Sequence, residues 1–199
     1  MTAQWDDEAA VRLMSKDRRS FEDPEFILKK LELEEGAVVA DLGCGSGYFT
    51  IPIALHIGKT GTVYAVDSSS EMLTRLAENI KAAGVDQERV KVLEADLVRT
   101  RIPDHSVDVA FFANVLHDLS YKEGFISEVK RILKPNGIAA DLDWNKSWKK
   151  SGPPIEIRID KDAARKFLES NGLEIVHAVN VGSHHYMLVC QLNPRMQQG

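Results

Sequence analysis

The sequence predicts an α/β fold with a doubly wound, mostly parallel seven-stranded sheet, helices on both faces and a C-terminal antiparallel hairpin. From residue 37 onward, short β-branched runs alternate with segments of helical periodicity. Parallel strands need long crossovers, so this alternation favours a parallel sheet between helices. The last two apolar runs are joined by the short turn Gly182–Ser183, and they are expected to pair as a hairpin.

Five apolar runs predict the parallel strands: AVVADL at 37–42, TVYAVD at 62–67, VKVLEAD at 90–96, VDVAFFANVL at 107–116 and IAADLDW at 138–144. Apolar residues at helical spacing predict a helix after the second strand and another before the fifth, the latter terminated by KPNG at 134–137. A further helix is predicted from about Asp160 to Ser170. It precedes LEIVHAVNV and HHYMLVCQL, the two strands of the hairpin.

The start of the chain differs from the rest. Residues 1–22 are polar with scattered apolar positions, which predicts an N-terminal helical flap. Asp23 and Pro24 then form a helix-start signal, because Asp can cap free amides and Pro needs no hydrogen bond at the first position. Residues 23–199 are expected to form one domain.

The composition of the chain limits which classes of partner are expected. A net charge of −5 and a pI near 5.7 disfavour nucleic acid. No window approaches the roughly 20 apolar residues of a membrane span, and the acidic start does not resemble a signal peptide, so we expect a cytoplasmic protein without a membrane partner. Cys44 and Cys190 lie far apart without metal-site spacing, which predicts reduced thiols and no metal.

A glycine-rich turn follows the first strand. Gly43, Gly45 and Gly47 allow backbone to approach a ligand closely at the carboxyl edge of the sheet, where open α/β sheets bind ligands. A helix starting near Tyr48 would offer free amides. A nicotinamide dinucleotide fingerprint, GxGxxG, would require glycine at Tyr48 or Thr50, and neither register fits. A tight turn without a ligand is the structural alternative.

DLGCGSG at 41–47 resembles motif I of the class I (Rossmann-like) S-adenosylmethionine-dependent methyltransferases, which reads Asp or Glu, x, Gly, x, Gly, x, Gly. The resemblance extends over residues 23–192 and is closest to small, undecorated members similar to ubiquinone and arsenite methyltransferases. It implies a methyltransferase with S-adenosylmethionine as cofactor and S-adenosylhomocysteine as product. Residues 23–199 would then be a single methyltransferase domain.

The resemblance also implies cofactor contacts. Asp67 matches the acidic residue that holds both ribose hydroxyls, Asp96 would hydrogen-bond the adenine amino group, and the Leu97 backbone would lie beside the ring. The carboxylate of Asp41 could accept hydrogen bonds from a cationic amine. The complete expected cofactor set is Asp41, Gly43, Cys44, Gly45, Gly47, Asp67, Ser68, Met72, Ala95, Asp96, Leu97 and Asn114.

The sequence gives fewer indications of which molecule accepts the methyl group. Residues 113–116 read Ala, Asn, Val, Leu and lack the Pro-Pro-Tyr type of motif found in base-amine methyltransferases, and the cysteine set of arsenic-handling members is missing. A small-molecule acceptor is expected, and its identity stays open. His117 is the candidate general base, with a helix-starting structural role as its alternative. Acceptor-facing candidates are Asp143, Trp144, His185 and Tyr186, by position at the strand ends.

Two functional alternatives remain open. A protein that binds S-adenosylmethionine without catalysis would share every motif, and a nicotinamide-dependent oxidoreductase would share the fold. The oligomeric state is not indicated by the sequence.

Overall fold

The computed structural model describes residues 16–19 and 21–193. The strands are β1 (Val38–Leu42), β2 (Thr62–Asp67), β3 (Val90–Glu94), β4 (Val107–Ala113), β5 (Leu133–Trp144), β6 (Leu173–Val181) and β7 (His185–Leu192). The helices are α1 (Lys16–Arg19), α2 (Pro24–Leu31), α3 (Thr50–His56), α4 (Ser70–Ala82), α5 (Lys122–Ile132) and α6 (Lys161–Ser170). Short 3₁₀ turns lie at Gln87–Arg89 and Leu116–Asp118.

The strands form one seven-stranded sheet in the order β3-β2-β1-β4-β5-β7-β6. The first five strands pair in parallel, whereas β7 is antiparallel to both β5 and β6. The predicted fold class is therefore confirmed, including the terminal hairpin. The strand order reverses between β1 and β4, which places the ligand crevice of an open α/β sheet above those two strands.

Each face of the sheet has its own apolar core. On the first face α2, α3 and α4 pack on Ala140 and Leu142 of β5 and on Met187 of β7. On the second face α5 and α6 pack on Ala139 of β5 and Leu188 of β7. Strand side chains alternate between faces. This alternation decides below which predicted site residues can share a surface.

Helix caps confirm several predicted starts. Asp23 accepts a hydrogen bond from the Glu25 amide, and Pro24 occupies the first turn of α2. Asp160 caps α6 in the same way. Such caps satisfy donors that have no partner within the helix, typically at about 1 kcal/mol each.

Several predicted boundaries differ from the structure; β3, for example, ends at Glu94 and not at residue 96. The helix after the glycine turn begins at Thr50, not near Tyr48, since residues 45–49 form turns. β4 ends at Ala113, before the 3₁₀ turn. The predicted stop KPNG lies within β5, whose pairing with β4 jumps from Leu133 to Ile138. Proline has no amide to donate, so residues 134–137 bulge from the ladder.

The predicted flap is described only from residue 16 onward, excluding residue 20; residues 1–15 lie outside the described part. Within it, α1 is helical and residues 21–22 lead into α2. Cys44 and Cys190 are both buried free thiols, as predicted. Among the described residues, no helix is long and apolar enough to cross a membrane.

Candidate functional site

The glycine turn after β1 is fixed by backbone hydrogen bonds. The Gly43 and Cys44 amides donate to the Val66 carbonyl at 2.8 and 3.0 Å. Gly43, Gly45 and Gly47 all have positive φ. A Cβ at Gly43 would lie 2.5 Å from the side chain of Val115, and one at Gly47 would lie 2.4 Å from that of Leu76. A Cβ at Gly45 would meet nothing within 4 Å, so the middle of the turn faces open space.

Asp67 closes one side of this space at the end of β2. One carboxylate oxygen accepts from the Gly45 amide at 2.9 Å, and the other accepts from the Ser69 amide at 2.9 Å. The neighbouring Ser68 is exposed, and Met72 of α4 is buried. Because its carboxylate is held at the turn, Asp67 is oriented toward any group that approaches Gly45.

The end of β3 adjoins Asp67. The Ala95 amide donates to the Asp67 carbonyl at 3.1 Å. Asp96 is exposed and accepts from the Val98 amide at 3.0 Å, and Leu97 is half-buried. Ala95 and the two residues predicted to contact the adenine ring, Asp96 and Leu97, thus follow directly on the strand beside Asp67.

Asp41 lies deeper than its predicted role suggests. It is 2% exposed, and its carboxyl accepts from the Thr50 hydroxyl at 2.5 Å. Burial raises the pKa of Asp41 to about 7, with the Asp67 charge adding to the rise and the Thr50 hydrogen bond opposing it. Its carboxyl is therefore engaged inside the protein, at the start of α3.

His117 and Asp143 form a buried pair at the ends of β4 and β5. His117 Nδ1 lies 2.7 Å from Asp143 Oδ1, and the His117 amide donates to Oδ2 at 3.3 Å. Oδ1 also accepts from the Trp144 amide at 2.6 Å. Since an ionised carboxylate accepts only, the pair fixes the proton of neutral His117 on Nδ1. Its Nε2 lies 3.5 Å from Asp118 Oδ1.

The surroundings of His117 act in opposite directions on its pKa. Burial lowers the pKa, and the hydrogen bond and charge of Asp143 raise it, with a smaller rise from Asp118. The net result is a His117 pKa above its usual 6.5. This is the electrostatic arrangement of a base whose imidazolium form is stabilised by a buried carboxylate.

The four acceptor candidates divide between the two faces of the sheet. Trp144 and His185 share a register position on the first face, with ring centroids 4.2 Å apart. Asp143 and Tyr186 share the next position on the second face. Tyr186 is fully buried in the core there and donates to the Ile159 carbonyl at 3.3 Å. The side chain of Tyr186 is thus directed into the core of the second face, away from Trp144 and His185.

Sequence reasoning missed the N-terminal residues that cover this edge. Glu22 is 1% exposed; its carboxylate accepts from Asn114 Nδ2 at 2.7 Å and pairs with Arg18 at 2.5 Å. Its carbonyl accepts from the Tyr48 hydroxyl at 2.7 Å, and the Arg18 guanidinium lies 3.8 Å from the Tyr48 ring centre. Glu22 and Asn114 are 92 residues apart, a separation at which no local pattern signals contact.

Arg158 was also missed. Its buried guanidinium donates to the carbonyls of Asn145, Trp148, Ser151 and Pro153. These carbonyls belong to the loop that follows β5. Arg158 therefore holds this loop in one conformation beside the carboxyl edge of the sheet.

The doubly wound sheet, the glycine turn and the acidic residue at the end of β2 together define a Rossmann-like protein that binds an adenosine-type cofactor. A family profile for a methyltransferase domain matches residues 40–140. A crystal structure of an S-adenosylmethionine-dependent methyltransferase from Aquifex aeolicus superposes with a TM-score of 0.88 at 31% identity, covering 94% of this chain and 98% of that one. The chain belongs to the family of S-adenosylmethionine-dependent methyltransferases.

Sequence relatives include quinone-pathway enzymes. The 2-phytyl-1,4-naphtoquinone methyltransferase of Trichormus variabilis is 30% identical over 122 residues, which are 61% of this chain and 53% of the relative. The ubiquinone/menaquinone biosynthesis C-methyltransferase of Chromobacterium violaceum is 31% identical over 128 residues, 64% of this chain and 51% of the relative. The chain thus matches about half the length of these relatives.

The family prediction made from DLGCGSG is therefore confirmed, and with it S-adenosylmethionine as the cofactor. The residues present fit this group. The turn at Gly45 opens on free space, and the buried Ser46 Oγ next to it has no hydrogen-bond partner among the described residues. The nicotinamide alternative is not favoured, because the matches are methyltransferases.

Proposed function

We propose that the protein methylates a small aromatic molecule bearing a hydroxyl group, of the quinol type, with His117 as the general base. The observation that carries this proposal is the buried His117–Asp143 pair at the strand ends next to the glycine turn. A protein that only binds its cofactor needs no such pair. The pair therefore argues for catalysis over the non-catalytic alternative.

The cofactor would be held by the predicted set of residues at the ends of β1 to β4. The Gly45 region would cradle its amino-acid part, Asp67 would accept from the ribose hydroxyls, and Asp96 would accept from the adenine amino group. Gly43, Cys44, Gly47, Ser68, Met72, Ala95, Leu97 and Asn114 would line the same surface. Asp41 would accept from the amine of the cofactor through Oδ1, since the Thr50 hydroxyl donates to Oδ2.

When bound, S-adenosylmethionine supplies an electrophilic methyl group on a sulfonium sulfur. His117 Nε2 would take the proton of the acceptor hydroxyl, and Asp143 would stabilise the resulting imidazolium through Nδ1. Loss of that proton leaves a phenolate, whose oxygen or activated ring carbon is a stronger nucleophile. Trp144 and His185 would position the ring and exclude water, as an in-line displacement requires.

The class of acceptor is supported by two independent facts. The relatives named above are, by their names, a 2-phytyl-1,4-naphtoquinone methyltransferase and a C-methyltransferase of ubiquinone/menaquinone biosynthesis. In this chain, Phe21, Trp144, Trp148, His184 and His185 form a cluster of rings at the carboxyl edge of the sheet, with neighbouring centroids 4.1 to 6.1 Å apart. Flat ring surfaces of this kind favour an aromatic ligand.

The test is methyl transfer from radiolabelled S-adenosylmethionine to a panel of hydroquinones, phenols, amines and thiols. We expect turnover with hydroquinones and a loss of about 10²- to 10⁴-fold in kcat for His117→Ala, the usual contribution of a general base. His177→Ala, an exposed position on β6, is the matched control and should keep parental turnover. Tight S-adenosylhomocysteine binding without transfer to any acceptor would favour the non-catalytic alternative.

We further propose a cytoplasmic location and a division into a flap (residues 1–22) and one domain (residues 23–199). The free thiols of Cys44 and Cys190 support the first proposal, and the Asp23 cap that starts α2 directly after residue 22 supports the second.

A further inference from the structure

Two buried polar side chains at the edge of the first face lack hydrogen-bond partners. His185 is fully buried, and neither ring nitrogen has a partner in the described part of the chain. Asn114 Oδ1 is also buried and unpartnered there. A buried polar atom left without a partner typically costs about 1–3 kcal/mol. Such a cost is explained where a ligand supplies the missing partner.

The two side chains converge on one point. Glu22 Oε1 lies 2.7 Å from Asn114 Nδ2 and 4.0 Å from His185 Nε2. The carboxylate thus satisfies the Asn114 amino group and stays beyond hydrogen-bond distance of the imidazole. Asn114 comes from the end of β4 and His185 from the start of β7, so the polar group is assembled from three distant parts of the chain.

Burial keeps the imidazole of His185 neutral, since it lowers the pKa of His185 to about 4 against a small rise from the Glu22 and Asp143 charges. A neutral imidazole has one N–H donor and one acceptor nitrogen. Asn114 Oδ1 adds a second acceptor. A hydroxyl group both donates and accepts, and it therefore matches this combination of one donor and two acceptors.

Aromatic surfaces flank the polar group. The His185 ring lies 4.2 Å from Trp144, centroid to centroid, and it is parallel to Phe21 within 6° at 6.1 Å. A hydroxyl bound here would be attached to a molecule that contacts these rings. The arrangement suits a flat ring with an oxygen at its edge.

We propose that Asn114 and His185, flanked by Phe21 and Trp144, form a subsite that binds a ring hydroxyl of the acceptor. The subsite deepens the proposed function and rests on it. Asn114 precedes His117 by three residues, and Trp144 directly follows Asp143. The subsite and the base therefore adjoin the same strand ends.

The test measures binding, not turnover, with 1-naphthol and naphthalene as a probe pair that differs in one hydroxyl. Dissociation constants are measured by quenching of tryptophan fluorescence at saturating S-adenosylhomocysteine. The parent should bind 1-naphthol about 10-fold more tightly than naphthalene, which corresponds to one net hydrogen bond of about 1.4 kcal/mol. His185→Phe keeps a ring of similar shape and should reduce this ratio to about 1.

Asn114→Gly is the second variant, because Asn114 has a φ of +61° that glycine tolerates. It should also lower the preference for 1-naphthol over naphthalene, and it tests the subsite if His185→Phe does not fold. His177→Phe is the control and should keep the parental ratio. An equal affinity of the parent for both probes, or an unchanged ratio in the folded variants, would overturn the subsite. Failure of methyl transfer with a persisting hydroxyl preference would count against the proposed function and leave the subsite standing.

Discussion

Asp143→Asn separates the charge of the His117–Asp143 pair from its geometry. The amide oxygen of asparagine can still accept from His117 Nδ1, where Asp143 Oδ1 lies at 2.7 Å. Its amino group would then face the His117 amide, in place of the weaker 3.3 Å hydrogen bond to Oδ2. The substitution therefore removes the negative charge and keeps the principal contact.

The size of the effect follows from the competing influences on His117. Burial lowers its pKa, and the hydrogen bond and charge of Asp143 outweigh that effect in the parent. A charge-assisted hydrogen bond contributes about 1.5–3 kcal/mol, and one pKa unit corresponds to about 1.36 kcal/mol. Loss of the charge should therefore lower the His117 pKa in the variant relative to the parent, where it lies above 6.5.

The assay is an NMR titration of the imidazole signals, with His117→Gln used to assign the resonance among the six histidines. It needs no acceptor. The ring nitrogen shifts should also report a proton on Nδ1 at high pH. An identical His117 pKa in parent and Asp143→Asn would refute the electrostatic reasoning on which the base role depends.

The same pair makes a signed prediction for stability. A histidine whose folded pKa is raised contributes stability that is fully present below pH 6.5 and is lost as the pH rises through the folded value. The free energy of unfolding of the parent should therefore exceed that of Asp143→Asn by more at pH 6 than at pH 9. Urea unfolding at the two pH values measures this difference, and a gap that widens toward pH 9 would contradict it.

Three further predictions concern the cofactor edge and the core. Asp67→Ala should weaken S-adenosylhomocysteine binding by about 1–3 kcal/mol in calorimetry, because charge-assisted hydrogen bonds go unmade; unchanged affinity would remove Asp67 from the site. Gly45→Val should abolish binding and keep the fold, since its Cβ meets no protein atom within 4 Å; Gly84→Val, with a similar positive φ and open surroundings, controls for backbone strain and should bind normally. Asp141 is fully buried, and both of its carboxyl oxygens are unpartnered among the described residues. Burial raises the pKa of Asp141 well above its usual range, and the negative charge of Asp143 raises it further. A raised carboxyl pKa makes stability fall as the pH rises above about 4, so Asp141→Asn should gain stability over the parent between pH 5 and pH 8 in urea unfolding.

The fold was predictable because its signals are local. TVYAVD at 62–67 is a strand with the predicted bounds, and Asp23–Pro24 starts a helix through a side-chain cap. Boundaries failed where tertiary pairing competes with local signals. KPNG marks the end of a helix by composition, yet Leu133 already pairs with Val107 and the strand continues beyond a bulge.

The cofactor residues could be predicted because each lies next to the end of a strand that the sequence itself predicts. Asp67 is the last residue of β2 and Asp96 lies two residues beyond β3, and the parallel pairing of the two strands brings these ends together. Contacts between residues far apart in the chain could not be predicted, because no local sequence pattern indicates them. The pairing of Glu22 with Asn114 depends on how the N-terminal segment lies across β4. The burial of Asp141 without a partner likewise follows from packing on the second face, not from its sequence neighbours.

Successive residues at the end of β5 point to opposite faces of the sheet, so Asp143 and Trp144 can take different roles in the proposed reaction. Asp143 is directed to the second face, where it orients His117, and Trp144 is directed to the first face, where it contacts His185. The family profile ends at residue 140 and therefore excludes Asp143, Trp144, His185 and Glu22. The proposed cofactor residues, from Asp41 to Asn114, all lie within the profile. We propose that residues outside the profile, from the N-terminal segment, the end of β5 and the terminal hairpin, complete the acceptor site begun by Asn114 and His117 inside it. Substitutions at the outside residues should therefore change acceptor preference and leave S-adenosylhomocysteine affinity unaltered.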